Sequence, residues 1–161
     1  MTSTLTLLKL CKHPIHLMSL GIGSGLSPKA PGTAGTVMAV VLYFFLLKDL
    51  SAANYIAIVI AISALGVYLC GRTAAELGVH DHPAIVWDEF AGFWLCAFML
   101  PQGWLWLLAA FILFRIFDII KPWPISWLDK RMKGGFGIMV DDIVAGLFAW
   151  LVIQLAAWMV Y

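Results

Sequence analysis

Apolar residues gather in long runs along this chain, and the polar residues fall in the breaks between them. Runs over residues 36–47, 54–71, 84–100, 104–117 and 143–160 predict membrane-spanning helices. The run at 54–71 carries no charge. As a helix it would rise about 27 Å, close to the ~30 Å hydrocarbon core of a bilayer. Three of the runs are short for a full crossing, so one or two are candidates for re-entrant segments. Residues 1–20 mix Leu, Thr and Lys and predict a short helix at the membrane surface. Residues 21–35 hold five glycines and two prolines, which forbid a regular helix. Pro101-Gln102-Gly103 predicts a tight turn, and residues 119–140 a loop containing Lys, Pro, Trp and Gly.

Composition agrees with this pattern. The chain is 161 residues long, one domain in size, and 63% hydrophobic. Its mean hydropathy is +0.95. Soluble domains hold about 45–50% apolar residues, so the expected class is an all-α integral membrane bundle of four to five short spans. The net charge is +1, and with no basic block to track phosphates along a strand no nucleic-acid partner is expected. Cys11, Cys70 and Cys96 are odd in number and far apart, which predicts neither a disulfide framework nor a zinc ribbon. Lys9, Lys12, His13 and Pro14 interrupt any signal-peptide core.

Five spans would place the 21–35 loop, residues 80–89, residues 115–121 and Asp141-Asp142 on one side. Lys48, Asp49 and the Pro101 turn would fall on the other. All basic residues except Lys48 are then on the motif side, and the positive-inside rule makes that side cytoplasmic.

Only 12% of the chain is charged, so the placement of its acids is informative. Asp88 and Glu89 stand about one turn inside the predicted third span, preceded by His80, Asp81 and His82. Carboxylates near a bilayer are costly unless a cation or a donor compensates them. Arg115, Asp118 and Lys121 end the fourth span at i, i+3, i+6 spacing, before Pro122 and Pro124 stop the helix. Ordinary ion pairing would account for this triplet; phosphate binding by the two cations is the functional alternative. Gly134, Gly135 and Gly137 precede Asp141 and Asp142, and helix capping explains one of those acids better than both. Lys29 sits in the 21–35 loop, which has no P-loop or dinucleotide spacing but could bare N–H groups to an anion. Five carboxylates at helix ends on one side would repel one another, and Mg²⁺, which prefers oxygen ligands, would relieve the repulsion and bind phosphate.

The segments Gly23-Ser-Gly-Leu-Ser-Pro, Pro31-Gly-Thr, Val79-His-Asp-His, Trp87-Asp-Glu-Phe, Phe114-Arg-Ile-Phe-Asp, Lys121-Pro-Trp-Pro-Ile and Gly137-Ile-Met-Val-Asp-Asp-Ile-Val-Ala-Gly resemble phosphatidylglycerophosphatase A. They come in that family's order and cover roughly residues 14–147. The resemblance implies a Mg²⁺-dependent phosphatase of the bacterial inner membrane that converts phosphatidylglycerophosphate to phosphatidylglycerol. On this reading Asp88, Glu89, Asp118, Asp141 and Asp142 supply metal ligands and a general base. Lys29, Arg115, Lys121 and His82 contact the substrate. The competing classes are a divalent-cation transporter, a structural membrane partner and another lipid-phosphate enzyme. The Asp and Gly-Ala-Arg pattern of alcohol phosphotransferases and the Ser-Gly-His signature of histidine-type lipid phosphatases are absent.

Overall fold

A computed structural model describes residues 4–160. Residues 1–3 of the expected surface helix lie outside the described residues. Every regular element among those described is helical. The order is α1 (Thr4–Leu10), α2 (Pro14–Ser19), a 3₁₀ turn (Gly21–Leu26), α3 (Pro31–Leu42) running on through a π turn (Tyr43–Leu47), α4 (Ala52–Leu77), α5 (Trp87–Cys96), α6 (Trp104–Ile120), α7 (Ile125–Arg131) and α8 (Gly134–Val160).

Local chemistry sets several ends. The Ser51 hydroxyl accepts the N–H of Asn54 at 3.3 Å and opens α4. Gly78 closes that helix in the left-handed conformation. Pro31 at the first position of α3 starts it five residues before the expected boundary at 36, because a proline there loses no helical hydrogen bond.

Two helices are long and apolar enough to cross a membrane, α4 and α8. Their 26 and 27 residues rise about 39 and 40 Å. Only 28% and 22% of their most apolar stretches are buried, so neither is the enclosed core helix of a soluble protein. Phe45, Ile60, Leu105 and Leu155 are all more than half exposed, which turns a broad apolar surface outward. Together these features suggest a membrane protein. The Pro31–Leu47 helix and α6 are shorter, each about 25 Å.

The expected third span is not a full-length helix. Residues Ala84, Ile85 and Val86 are buried yet irregular, and the Val86 N–H donates to the Ser19 carbonyl at 3.0 Å. The helix that follows, α5, has ten residues and rises only about 15 Å. Eight of the ten are buried, so protein rather than lipid surrounds it. It packs against α3, α4, α6 and α8.

Small residues let α5 and α8 approach closely. A Cβ added at Gly146 would collide with the Gly92 carbonyl oxygen, and one at Gly92 would lie 2.6 Å from the carbonyl oxygen of Asp142. The start of α8 rests on the same device. Gly134–Val140, expected as loop, is helical, and Gly135 sits so close to α4 that a Cβ would lie 2.8 Å from the Gly71 nitrogen. These glycines allow backbone contact between helices. The turn at residues 48–49 and the turn at 100–103 line one cleft, so they share one end of the bundle.

Gly146→Val should lower the thermal unfolding midpoint of the detergent-solubilised protein, by an overpacking cost of about 1–3 kcal/mol. An unchanged midpoint would contradict the close approach of α5 and α8.

Candidate active site

The site begins at the first turn of α5. The Trp87 indole N–H donates to the Ile62 carbonyl of α4 at 3.1 Å and fixes the helix start. Asp88 and Glu89 therefore stand in the first turn and not one turn inside a span. Unsatisfied N–H groups and the helix dipole favour acids at that position. The Glu89 N–H donates to Asp88 Oδ1 at 3.1 Å.

Glu89 is buried, and its Oε2 accepts two donors. One is the Thr36 hydroxyl of α3 at 2.7 Å, and the other is Arg115 Nη1 of α6. Arg115 Nη1 also meets Asp118 Oδ2 at 2.9 Å, one helical turn on. Thr36 and Gly32 bring α3 to this cluster. A Cβ at Gly32 would collide with Glu89 Oε1 and lie 3.3 Å from Arg115 Nη2. A side chain there would have to push the Glu89 carboxylate out of its place in the ion pair.

A second cation organises the other half. Lys121 ends α6 in the left-handed conformation, and its Nζ meets Asp129 Oδ1 of α7 at 2.6 Å and Asp141 Oδ2 of α8 at 2.5 Å. Burial works against its charge, but the two carboxylates outweigh burial and raise the Lys121 ammonium above its ordinary range. Asp141 and Asp142 are both buried two turns inside α8, too deep for helix capping. The expectation that a loop delivers them to a helix start is thus corrected, because the glycines before them are helical.

Three buried polar atoms of this cluster have no hydrogen-bond partner among the described residues: Asp141 Oδ1, Asp142 Oδ2 and Arg115 Nε. Asp142 stands within electrostatic reach of Asp118, Asp88, Glu89 and Asp141, so the five predicted acids share one region. No three His, Cys, Asp or Glu side chains among the described residues converge as a metal cage. Arg115 engages Glu89 and Asp118, which leaves Asp142 Oδ2 and Asp141 Oδ1 as the buried carboxylate oxygens without a partner, while Asp88 accepts one N–H, that of Glu89. That donor set fits Mg²⁺, which is usually bound by one or two carboxylates together with water and substrate phosphate.

The remaining predicted residues stand apart from this cluster. Lys29 is exposed, and its carbonyl accepts the Ser27 hydroxyl at 2.8 Å. His82 Nδ1 accepts the Ala84 N–H at 3.1 Å and shapes the turn before α5. His80 Nε2 accepts the Gly134 N–H at 3.1 Å and tethers the start of α8. Sequence reasoning missed Thr36 and Asp129. Thr36 lies inside a stretch read as the beginning of an apolar run. Asp129 lies on α7, in a segment read as loop.

Breaking the buried pair from one side should cost more than removing both partners. Arg115→Met should destabilise the protein by about 3 kcal/mol or more, because it strands Glu89. Adding Glu89→Gln should restore much of that loss. Chemical unfolding of both variants in detergent measures the coupling, and simple additivity would contradict it.

Residues 17–157 match the sequence family described as phosphatidylglycerophosphatase A. The chain is 49% identical over 138 residues to the phosphatidylglycerophosphatase A of Escherichia coli K12, covering 85% of this chain and 80% of that protein. It is 46% identical over 142 residues to the protein of the same name from Haemophilus influenzae, covering 88% and 87%. A putative phosphatidylinositol-3-phosphatase of Bacteroides thetaiotaomicron is 36% identical over 151 residues, covering 89% and 94%. No solved structure matches the chain. The family match spans most of the sequence and includes every residue of the buried acid and base cluster, and the chain belongs to the phosphatidylglycerophosphatase A family.

Proposed function

We propose that this chain hydrolyses phosphatidylglycerophosphate to phosphatidylglycerol and phosphate, with Mg²⁺, at the polar end of a bundle in the bacterial inner membrane. The names of its relatives supply the substrate. The observation that carries the chemistry is the set of unpartnered buried atoms. The Nε of Arg115, the Oδ1 of Asp141 and the Oδ2 of Asp142 have no partner among the described residues, in the region organised by Arg115 and Lys121. Such a set offers a donor to a phosphate oxygen and acceptors to a cation or to the proton of water.

Arg115 and Lys121 would bind the phosphoryl oxygens and neutralise the charge that spreads over them. Asp142, and beside it Asp88 and Asp141, would hold the metal, which polarises the phosphate and supplies counter-charge when bound. The open Asp142 Oδ2 would take the proton of the attacking water. A bond forms from the water oxygen to phosphorus, and the bond from phosphorus to the glycerol oxygen breaks. The leaving oxygen takes a proton from solvent. Glu89, held by Thr36 and Arg115, orients the guanidinium. The Bacteroides relative carries the name of a different lipid phosphatase, which fits a family chemistry built on lipid phosphomonoesters.

In this reading α3 and α6 cross the membrane beside α4 and α8, with local thinning or snorkelling to absorb their shorter length. α5 enters from the polar end as a buried half-span. All basic residues but Lys48 then lie at the polar end, and this asymmetry supports a cytoplasmic orientation of that end. A divalent-cation transporter would use acids along a path through the bundle. Beyond Asp142 the rest of α8 carries no charged residue, which disfavours such a path.

Purified protein in detergent should release phosphate from phosphatidylglycerophosphate with Mg²⁺ and stop when chelator is added. Asp142→Asn should lower the rate by about 100-fold or more while circular dichroism shows retained helix. No turnover by folded wild-type protein with Mg²⁺ would break the substrate assignment. Full activity in Asp142→Asn would break the site assignment.

A further inference from the structure

The end of the bundle away from the acids carries a second polar feature. A cleft of about 430 Å³ opens there, lined among others by Tyr43, Phe44, Lys48, Asp49, Gln102 and Trp104. Its volume falls within the range of small-ligand sites. A smaller cavity of about 100 Å³ adjoins it and shares Tyr43, Lys48 and Leu100. α6 begins beside the cleft and reaches Arg115 only eleven residues later, about 16 Å along its axis, so this place is separate from the acid cluster.

We infer that the cleft binds the headgroup of a phospholipid bearing a primary amine, with its phosphate on Lys48 and its ammonium on Asp49. Lys48 Nζ and Asp49 Oδ2 are 3.9 Å apart, beyond a direct hydrogen bond, and the two side chains are 38% and 88% exposed. One cation and one anion thus stand side by side, neither saturated by the other. A phosphoethanolamine headgroup carries the complementary pair of charges at comparable separation. A purely anionic headgroup would meet Asp49 as a like charge.

The surroundings fit a lipid more than a free metabolite. Phe44 and Trp104 line the cleft and are exposed, their sequence neighbours Phe45, Leu46 and Leu105 are exposed as well, and this apolar surface suits acyl chains. Tryptophan favours the boundary between headgroups and hydrocarbon. Lys48 lies 4.0 Å from the centre of the Phe44 ring, which holds its stem against that apolar rim. The chain reaches Lys48 through a π turn, Tyr43–Leu47, a local irregularity often found at functional sites.

The test is lipid titration of the detergent-purified full chain, read by native mass spectrometry. Phosphatidylethanolamine, phosphatidylglycerol and phosphatidylcholine are compared on wild-type, Lys48→Ala and Asp49→Asn proteins. Phosphatidylethanolamine should bind tightest, because phosphatidylglycerol lacks the ammonium and phosphatidylcholine has no N–H to donate. Asp49→Asn should weaken the ethanolamine lipid about tenfold while leaving phosphatidylglycerol no weaker, and Lys48→Ala should weaken all three. Phosphate release should be unchanged in both variants, so a failure here is distinct from a failure of the proposed reaction. Equal binding of the three lipids, or ethanolamine-lipid binding unaffected by Asp49→Asn, would overturn the inference. Asp49 is largely exposed, so its substitution leaves the fold intact and the result readable.

Discussion

The guanidinium of Arg115 is shared between Glu89 and Asp118 inside the bundle, and the arrangement of the polar end depends on it. Each of these side chains keeps less than 15% of its surface. A buried charge is tolerated only when it is paired and hydrogen-bonded. The pairing therefore dictates where α3, α5 and α6 come together, with Thr36 and Gly32 shaped to admit it. Lys121 does the same for α6, α7 and α8 through Asp129 and Asp141. Two cations thus face Asp88, Glu89, Asp118, Asp129, Asp141 and Asp142. Acids outnumber cations here, and Asp141 Oδ1 and Asp142 Oδ2 keep no partner among the described residues, which is the feature the proposed function draws on.

The apolar scaffold makes such a cluster possible by keeping one helix short. α5 carries two of the acids at its first turn and is enclosed on nearly every side. Its close contact with α8 through Gly92 and Gly146 brings Asp142 into range of the first turn of α5. Long helices beside it present apolar surface outward. Under the proposed function, a lipid substrate would remain in the bilayer while its phosphate reaches the polar end.

Much of this was readable from the order of residues, for physical reasons. Long apolar runs with few or no charges satisfy their backbone as helices, so the runs at 54–71, 104–117 and 143–160 are each found inside a helix, the last of which starts nine residues earlier than expected. The turns at Lys48-Asp49 and Pro101 separate them as expected. Residues 84–86 misled the reading because a buried irregular segment is as apolar as a helix. Gly135 misled it too: glycine marks a loop by its backbone freedom, but here its missing side chain lets α8 touch α4. The acids were legible as a group because charge is scarce in this chain. Which of them are engaged by Arg115 and Lys121, and the parts played by Thr36 and Asp129, depend on contacts between distant segments that no local pattern encodes.

The central claim is that the surplus carboxylates form a divalent-cation site at the polar end. Electron spin resonance of Mn²⁺ added to the detergent-purified chain tests it without recourse to turnover. The account predicts bound Mn²⁺ that Mg²⁺ displaces and that Asp142→Asn greatly weakens in protein that keeps its helix content. Folded wild-type protein that leaves all Mn²⁺ free, or an Asp142→Asn variant that binds it as tightly as wild type, would contradict the account.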